Sequence, residues 1–343
     1  MTNFSINLGE PALGCKYGEN GYQTPAALYS GGSDDPLALD RFQVIQGTAP
    51  SYNNLCDLDR LLQTATHIAA GFNVNSGAVP LIVVACKHGN PCGAAVGNDP
   101  LLAARLALEG DLRAVFGGLV LLSFPVDEEV ADILMTHKMD GGRRLLDGII
   151  APGFSEDAME MLKRKGNKCR LLINPALGRM DRGSLDGAQR IRYVRGGFLA
   201  QPNYTFVPNL DKVKRLGSAT PAQLDDMILA WAIGSTSNSN TVTLVRGGML
   251  IGNGVGQQDR VGGCRLAVLR ARDAGHNTAG AVAYSDSFFP FADGPAELAG
   301  AGVVAVLATS GSVRDEEVKD YCRKHGMTLF LYPDAEGRGF FGH

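Results

Sequence analysis

The sequence predicts an α/β protein, a mainly parallel sheet with helices on both faces. Three observations carry that reading. Short unbroken apolar runs, of which 81–86 (Leu-Ile-Val-Val-Ala-Cys) is the clearest, have the length and character of strands covered on both sides. Between such runs lie segments with helical apolar spacing. The two kinds alternate along a chain of 343 residues, long enough for two units at about 150 residues each.

Taken in order, residues 1–55 read as loop-rich, with Gly, Asn, Pro and Tyr and little periodicity. Leu58, Leu61, Leu62, Ala65, Ile68 and Ala69 form a helical stripe that faces a core. The strand 81–86 follows, and then a second apolar run at 115–122 broken by Gly117-Gly118. Residues 127–138 read as a helix, acidic in its first turn and ending in His137-Lys138, as the macrodipole favours. A strand at 148–151 passes through Pro152-Gly153 to a helix capped by Ser155, and 169–173 is a further buried strand. Residues 174–219, with scattered Arg, Gly and Pro, read as a junction. Thr220-Pro221-Ala222-Gln223 then supplies an N-cap, a first-turn proline and a capping-box glutamine. Segments 240–246 and 249–252 form a hairpin across Gly247-Gly248. After it come helix 257–272, strand 280–284, helix 295–300, strand 303–308, helix 313–325 and strand 328–332. No sequence repeat is visible, yet the two halves share a similar element order.

Composition narrows the function. With 32 Lys+Arg against 35 Asp+Glu, the charge of −3 provides no basic field for nucleic acid or an anionic membrane. The 44 glycines have no period, which excludes collagen-like and low-complexity chains. Seven cysteines form no C-x-x-C, so reduced thiols in a cytoplasmic protein are expected. The start, Met-Thr-Asn-Phe-Ser-Ile-Asn, has no signal-peptide character, and no apolar run approaches the ~18 residues of a membrane span.

The sharpest motif is Lys87-His88-Gly89-Asn90-Pro91-Cys92-Gly93, directly after the strand 81–86. Ligand sites in α/β sheets collect at the carboxyl ends of strands. A Lys-His pair there supplies a fixed cation for an oxyanion and an imidazole to move a proton. The competing account is a Gly/Pro turn with an exposed lysine. Zinc is rejected: Pro91-Cys92 is followed by no second cysteine, and His88 is not in His-x-Glu. Gly252-Asn253-Gly254-Val255-Gly256 has the wrong spacing for a dinucleotide loop and reads as a tight turn delivering Arg260. There is no P-loop and no G-x-S-x-G elbow. Two further segments look ligand-facing: 285–293, with three Phe beside two Asp, and Thr309-Ser310-Gly311-Ser312 before a helix, where amides bind anions unless nearby acids complement them.

These motifs line up with a family. From Lys16-Tyr17-Gly18-Glu19-Asn20 to Arg338 the chain resembles the transformylase part of the bifunctional AICAR transformylase/IMP cyclohydrolase. The intervening matches, in family order, are Ser51-Tyr52-Asn53-Asn54-Leu55-Cys56-Asp57, the Lys87–Gly93 motif, Phe116-Gly117-Gly118 and Ile149-Ile150-Ala151-Pro152-Gly153. Then come Ser239-Asn240, the 254–260 segment, the 285–293 block and Ser310-Gly311-Ser312. The resemblance implies two cytidine-deaminase-like α/β/α subdomains without the deaminase zinc, divided as 1–205 and 206–343. It implies formyl transfer from the co-substrate 10-formyltetrahydrofolate to the 5-amino group of AICAR, giving FAICAR and tetrahydrofolate. Only 15 residues precede Lys16, so a stand-alone transformylase is expected, with a separate IMP cyclohydrolase as its partner in the pathway. The resemblance also implies a homodimer with the site at its interface, and it has room for a structural monovalent cation.

The same resemblance assigns residues. Lys87 would stabilise the tetrahedral oxyanion and His88 would accept the proton of the attacking amine. Lys16 and Tyr17 would hold the nucleotide, with Asn54, Gly117, Asn240, Phe288 and Arg338 completing that site. Asp147, Arg260, Asp293, Ser312 and Val313 would hold the folate. The chain departs from the family pattern at four places. Lys16 stands where Arg is usual, which loses a bidentate fork. Gly21-Tyr22-Gln23 replaces Pro-His-Gln, and Asp259 replaces a common Ser. The terminal Arg-x-Phe-x-His appears here as Arg338-Gly339-Phe340-Phe341-Gly342-His343. Two other readings stay open: a formyltransferase for a related aminoimidazole or another donor, and a non-catalytic nucleotide-binding paralogue.

Overall fold

The computed structural model describes residues 8–342; the signal-peptide reading at 1–7 and the final His343 lie outside that range. The N-terminal segment folds into a hairpin of β1 (Pro11–Cys15) and β2 (Ala26–Tyr29), followed by β3 (Gln43–Gln46). Helix α1 (Tyr52–Ser76) opens on a reciprocal cap: the Ser51 hydroxyl accepts from the Asn54 amide, and Asn54 Oδ1 accepts from the Ser51 amide. The first half continues through β4 (Leu81–Lys87), β5 (Asn90–Gly97), α2 (Pro100–Glu109) and the short α3 (Leu112–Val115). It closes with β6 (Leu119–Leu122), α4 (Glu128–Thr136), β7 (Gly148–Ala151), α5 (Glu156–Met161) and β8 (Arg170–Ile173).

A detached hairpin, β9 (Gln189–Val194) with β10 (Gly197–Pro202), and the short β11 (Lys214–Leu216) occupy the middle of the chain. The second half runs α6 (Pro221–Gly234), β12 (Val242–Arg246), β13 (Met249–Gly254), α7 (Arg260–Asp273) and β14 (Val282–Ser285). Then follow α8 (Asp293–Gly300), β15 (Ala305–Ser310), α9 (Asp315–Lys324), β16 (Thr328–Pro333) and α10 (Asp334–Gly337). The capping signals at Ser155 and Thr220 open α5 and α6 as expected.

Twelve strands make one sheet, in the order β11-β16-β15-β14-β12-β13-β5-β4-β6-β7-β8-β3. The two halves are topological copies. In each, a helix leads into an antiparallel hairpin, the hairpin's first strand pairs antiparallel with the next strand, and three parallel strands end at an antiparallel edge strand. The copies join where β5 meets β13 antiparallel, at Ala95 and Met249. The sheet is therefore mixed, not mainly parallel. Parallel pairing is confined to β6-β7-β8 and β14-β15-β16, because each hairpin returns on itself through a turn too short for a crossover. Strand β5 (Asn-Pro-Cys-Gly-Ala-Ala-Val-Gly) reads as a turn from sequence, since its proline and glycines are poor strand formers.

Period-two alternation feeds both faces. Ile82, Val84 and Cys86 of β4 point to a core shared by α1 and α6, while Val83 and Ala85 point to the α2, α4 and α5 side. The shared core is continuous across both halves and holds Leu58, Leu61, Ile68, Met227, Trp231 and Tyr284. On the opposite face each half has its own cluster, that of the second half under α7, α8 and α9. Glycines allow the helices that follow the hairpins to sit down on them. A Cβ on Gly93 would lie 2.1 Å from the Ala107 carbonyl of α2, and one on Gly254 would lie 2.1 Å from the Gly263 carbonyl of α7. Gly252 and Gly254 are thus strand residues under a close helix, and of this segment only Gly256, at φ +67°, adopts a turn conformation.

Candidate functional site

Lys87 ends β4 and pairs with Asn90 of β5, so only His88 and Gly89 form the turn. Both are left-handed, at φ +54° and +70°, the geometry of the favoured two-residue hairpin. For His88 that conformation costs about 1–2 kcal/mol, and the residue is exposed at the tip of the hairpin. The Lys87 ammonium donates to the Phe116 carbonyl at 2.7 Å and lies beside Gly117, itself at φ +78°. A cleft of about 230 Å³ opens here, lined by Lys87, His88, Ala114, Asn253 and Arg270 among others.

The second half meets this turn directly. The Asn238 amide donates to Asn90 Oδ1 at 3.2 Å, and Asn253 Nδ2 donates to the Pro91 carbonyl at 3.2 Å. Asn240 follows a cis Ser239–Asn240 peptide, and its amide and side chain both donate to the Gln257 carbonyl. Arg260 Nη2 donates to Asn240 Oδ1 at 2.7 Å, while Nη1 donates to the fully buried Asp286 carboxylate and the Thr241 carbonyl. Asp286 also accepts from the Ser239 hydroxyl at 2.7 Å. The Arg260 fork is thus turned inward, where it organises Asn240. Asp286, which this network needs, was not singled out from sequence. Its signal was its place in the 285–293 block.

The remaining predicted residues lie along the same edge of the sheet. Lys16 is exposed and Tyr17 half-buried on the loop after β1, which is tied to the start of α1 by Asn53 Nδ2 on the Glu19 carbonyl at 3.3 Å. Asn54 is buried, with its Oδ1 engaged in the α1 cap. Asp147 precedes β7, accepts from Arg164 at 3.4 Å and sits beside Gly118 through its own amide. Phe288 lies under the Arg338 guanidinium, 5.6 Å from the ring centre. Arg338 pairs with Asp334 at 2.6 Å. Burial pushes the Asp334 carboxyl up, but hydrogen bonds from Arg338, Thr309 and Ser287 outweigh it and hold the group below its usual value. Asp293 is exposed at the start of α8 and Val313 is fully exposed. The Gly311 and Ser312 amides, read as open either to an anion or to nearby acids, donate to the Asp315 carboxylate at 2.8 and 3.1 Å. Asp315, in the first turn of α9, thus complements these two amides of the preceding loop, while α9 itself has no side-chain cap.

That edge collects the carboxyl ends of β13, β14, β15 and β16 but the amino ends of β6, β7 and β8. The antiparallel β5–β13 junction reverses one half relative to the other, so the carboxyl-end rule holds for β13 to β16 and for β4, whereas Asn240 lies at the amino end of β12. Among the described residues no group of three His, Cys, Asp or Glu side chains is placed to hold a metal ion, and no helix is long and apolar enough to cross a membrane.

Comparison with known proteins points to one family. The family described as the AICARFT/IMPCHase bienzyme matches residues 3–270. The bifunctional purine biosynthesis protein PurH of Cutibacterium acnes is 36% identical over 336 residues, which is 96% of this chain and 59% of that protein. The chain therefore spans well under two thirds of that relative's length. A solved structure, Acinetobacter baumannii RibD form 2, aligns over 36% of this chain and 38% of its own at 14% identity, with a TM-score of 0.22, and carries no weight.

Proposed function

The chain belongs to the AICARFT/IMPCHase bienzyme family, and on that premise we propose that it transfers a formyl group from 10-formyltetrahydrofolate to the 5-amino group of AICAR. The observation that carries this reading is the β4–β5 hairpin, where the Lys87 ammonium, held by the Phe116 carbonyl, and the exposed His88 line one cleft.

The acceptor amine is a weak nucleophile because its lone pair delocalises into the imidazole ring. Its attack on the formyl carbon forms the new C–N bond and places charge on the formyl oxygen. The Lys87 ammonium is the cation positioned for that oxyanion. His88 takes the proton that the amine loses and returns it to the folate nitrogen as the old C–N bond breaks, leaving tetrahydrofolate and FAICAR. Lys16 faces the nucleotide phosphate as a point charge. Asn240, fixed by Arg260 and Gln257, addresses the nucleotide with Phe288 and Arg338, while Asp147, Asp293, Ser312 and Val313 face the folate.

Two copies of the chain complete the site in this reading. The fully exposed Val313 and the half-exposed Phe291 fit a surface that a second copy or the folate covers. A C₂ dimer would build two such sites. The cysteines, all free, fit a cytoplasmic setting.

The test is His88→Ala assayed with AICAR and 10-formyltetrahydrofolate. Turnover should fall by about 10²–10⁴ with nucleotide affinity nearly unchanged. A variant as active as the parent chain would refute the assignment.

A further inference from the structure

Resting on the reading just given, we infer that Asp57 is a positioning residue, which together with Asn90 clamps the His88–Gly89 peptide and so sets the direction in which the His88 imidazole projects. Asp57 lies on α1, outside the hairpin that it touches. Its Oδ1 accepts the Gly89 amide at 2.7 Å and the Cys86 thiol at 3.6 Å. Burial, reinforced by the neighbouring Asp57, pushes the Cys86 thiol well above its ordinary pKa, so the sulfur keeps its proton and donates. From the other side, Asn90 Nδ2 donates to the His88 carbonyl at 3.3 Å. The two ends of one peptide plane are therefore held by two side chains from different elements.

That plane is the one free to rotate. In a two-residue turn the outer residues are fixed by the strand ladder, here Lys87 with Asn90, whereas the central peptide can flip at little cost to the ladder. A flip would carry His88 into a backbone region that suits glycine rather than a residue with a Cβ, and would re-aim its side chain. Strained conformations persist only where their surroundings over-determine them. Asp57 and Asn90 provide that over-determination. Asn90 also accepts the Asn238 amide at 3.2 Å, so the clamp ties the turn to the loop that carries Asn240.

The sequence supplies a direct probe. Among the described residues, histidine precedes glycine only at His88-Gly89 and His325-Gly326. Labelling the protein with carbonyl-¹³C histidine and ¹⁵N glycine therefore isolates the Gly89 amide and, as an internal reference, the Gly326 amide. In Asp57→Ala the Gly89 amide should exchange with solvent at least about tenfold faster, while Gly326 is unmoved. Turnover should fall by about tenfold or more, with the nucleotide KM changed far less, since a misdirected base affects the transition state rather than ground-state binding. Asp57→Asn keeps an acceptor oxygen at the same reach and should restore most of the lost protection and turnover. Should Asp57→Ala not fold, Asp57→Ser, which withdraws the acceptor, is read in the same way. Equal Gly89 exchange in the parent and truncated chains, or equal loss of kcat in the Asn and Ala variants, would overturn the clamp. A parent chain without formyl transfer would instead overturn the proposed function, and the Gly89 exchange would still decide the clamp.

Discussion

Replacing Arg260 with methionine tests the most buried charge network of the site. The arginine side chain is 9% exposed and its partner Asp286 is 0% exposed. Methionine keeps much of the apolar stem but removes the guanidinium from Asp286, Asn240 and Thr241. Asp286 then retains the Ser239 hydroxyl as its side-chain partner, and an uncompensated buried carboxylate costs about 3–5 kcal/mol. At about 2.1 cal/mol/K of unfolding entropy per residue, a chain of 343 residues should lose about 4–7 °C in its melting midpoint. Circular-dichroism melts of Arg260→Met, Asp286→Asn and the double variant measure this. The double variant should lose less than the two single losses combined, because it removes the stranded charge. Releasing Asn240 should also raise the nucleotide KM. A midpoint within about 1 °C of the parent, joined to a raised KM for the folate alone, would show that Arg260 works outward on a ligand and refute the inward reading.

Two further outcomes follow from the same geometry. His67 is fully buried in the shared core, stacked 5.5 Å from the Tyr204 ring, and burial brings its pKa down to about 4. Its unfolded form takes a proton near pH 6.5, so its contribution is fully present above that value and is lost as pH falls towards 4, by up to about 3 kcal/mol. Melts between pH 7 and 4.5 should show a shallower acid loss in His67→Phe than in the parent chain; parallel curves would contradict it. For the dimer, Lys87→Ala and Asn240→Ala chains should each be inactive, and mixing with subunit exchange should recover about a quarter of parental activity if sites are completed between copies. Full exchange without recovery would show instead that the turn and the Asn240 loop act within one chain, where Asn90 already touches Asn238.

What the sequence by itself determined is what depends on near neighbours. Ser155 and Thr220 cap helices because a side chain meets an amide only three residues on. The runs in β4, β14 and β16 declare themselves because both of their faces are buried. The Lys87-His88 dipeptide stood out for a related reason, since it follows such a run directly, and the colinear motifs supplied the family. The tertiary structure alone decided pairing and direction. An apolar strand looks the same whether its neighbour runs parallel or antiparallel, so the mixed sheet was not visible, and β5 was hidden by the proline and glycines that let α2 approach it. Only the fold could bring Asn240 and Arg338 to the sheet edge that carries Lys87 and Asp147, since that placement rests on the antiparallel meeting of β5 and β13. Only the fold could turn Arg260 inward, because its partner Asp286 is brought to it by the pairing of β12 with β14, a contact that no local spacing encodes.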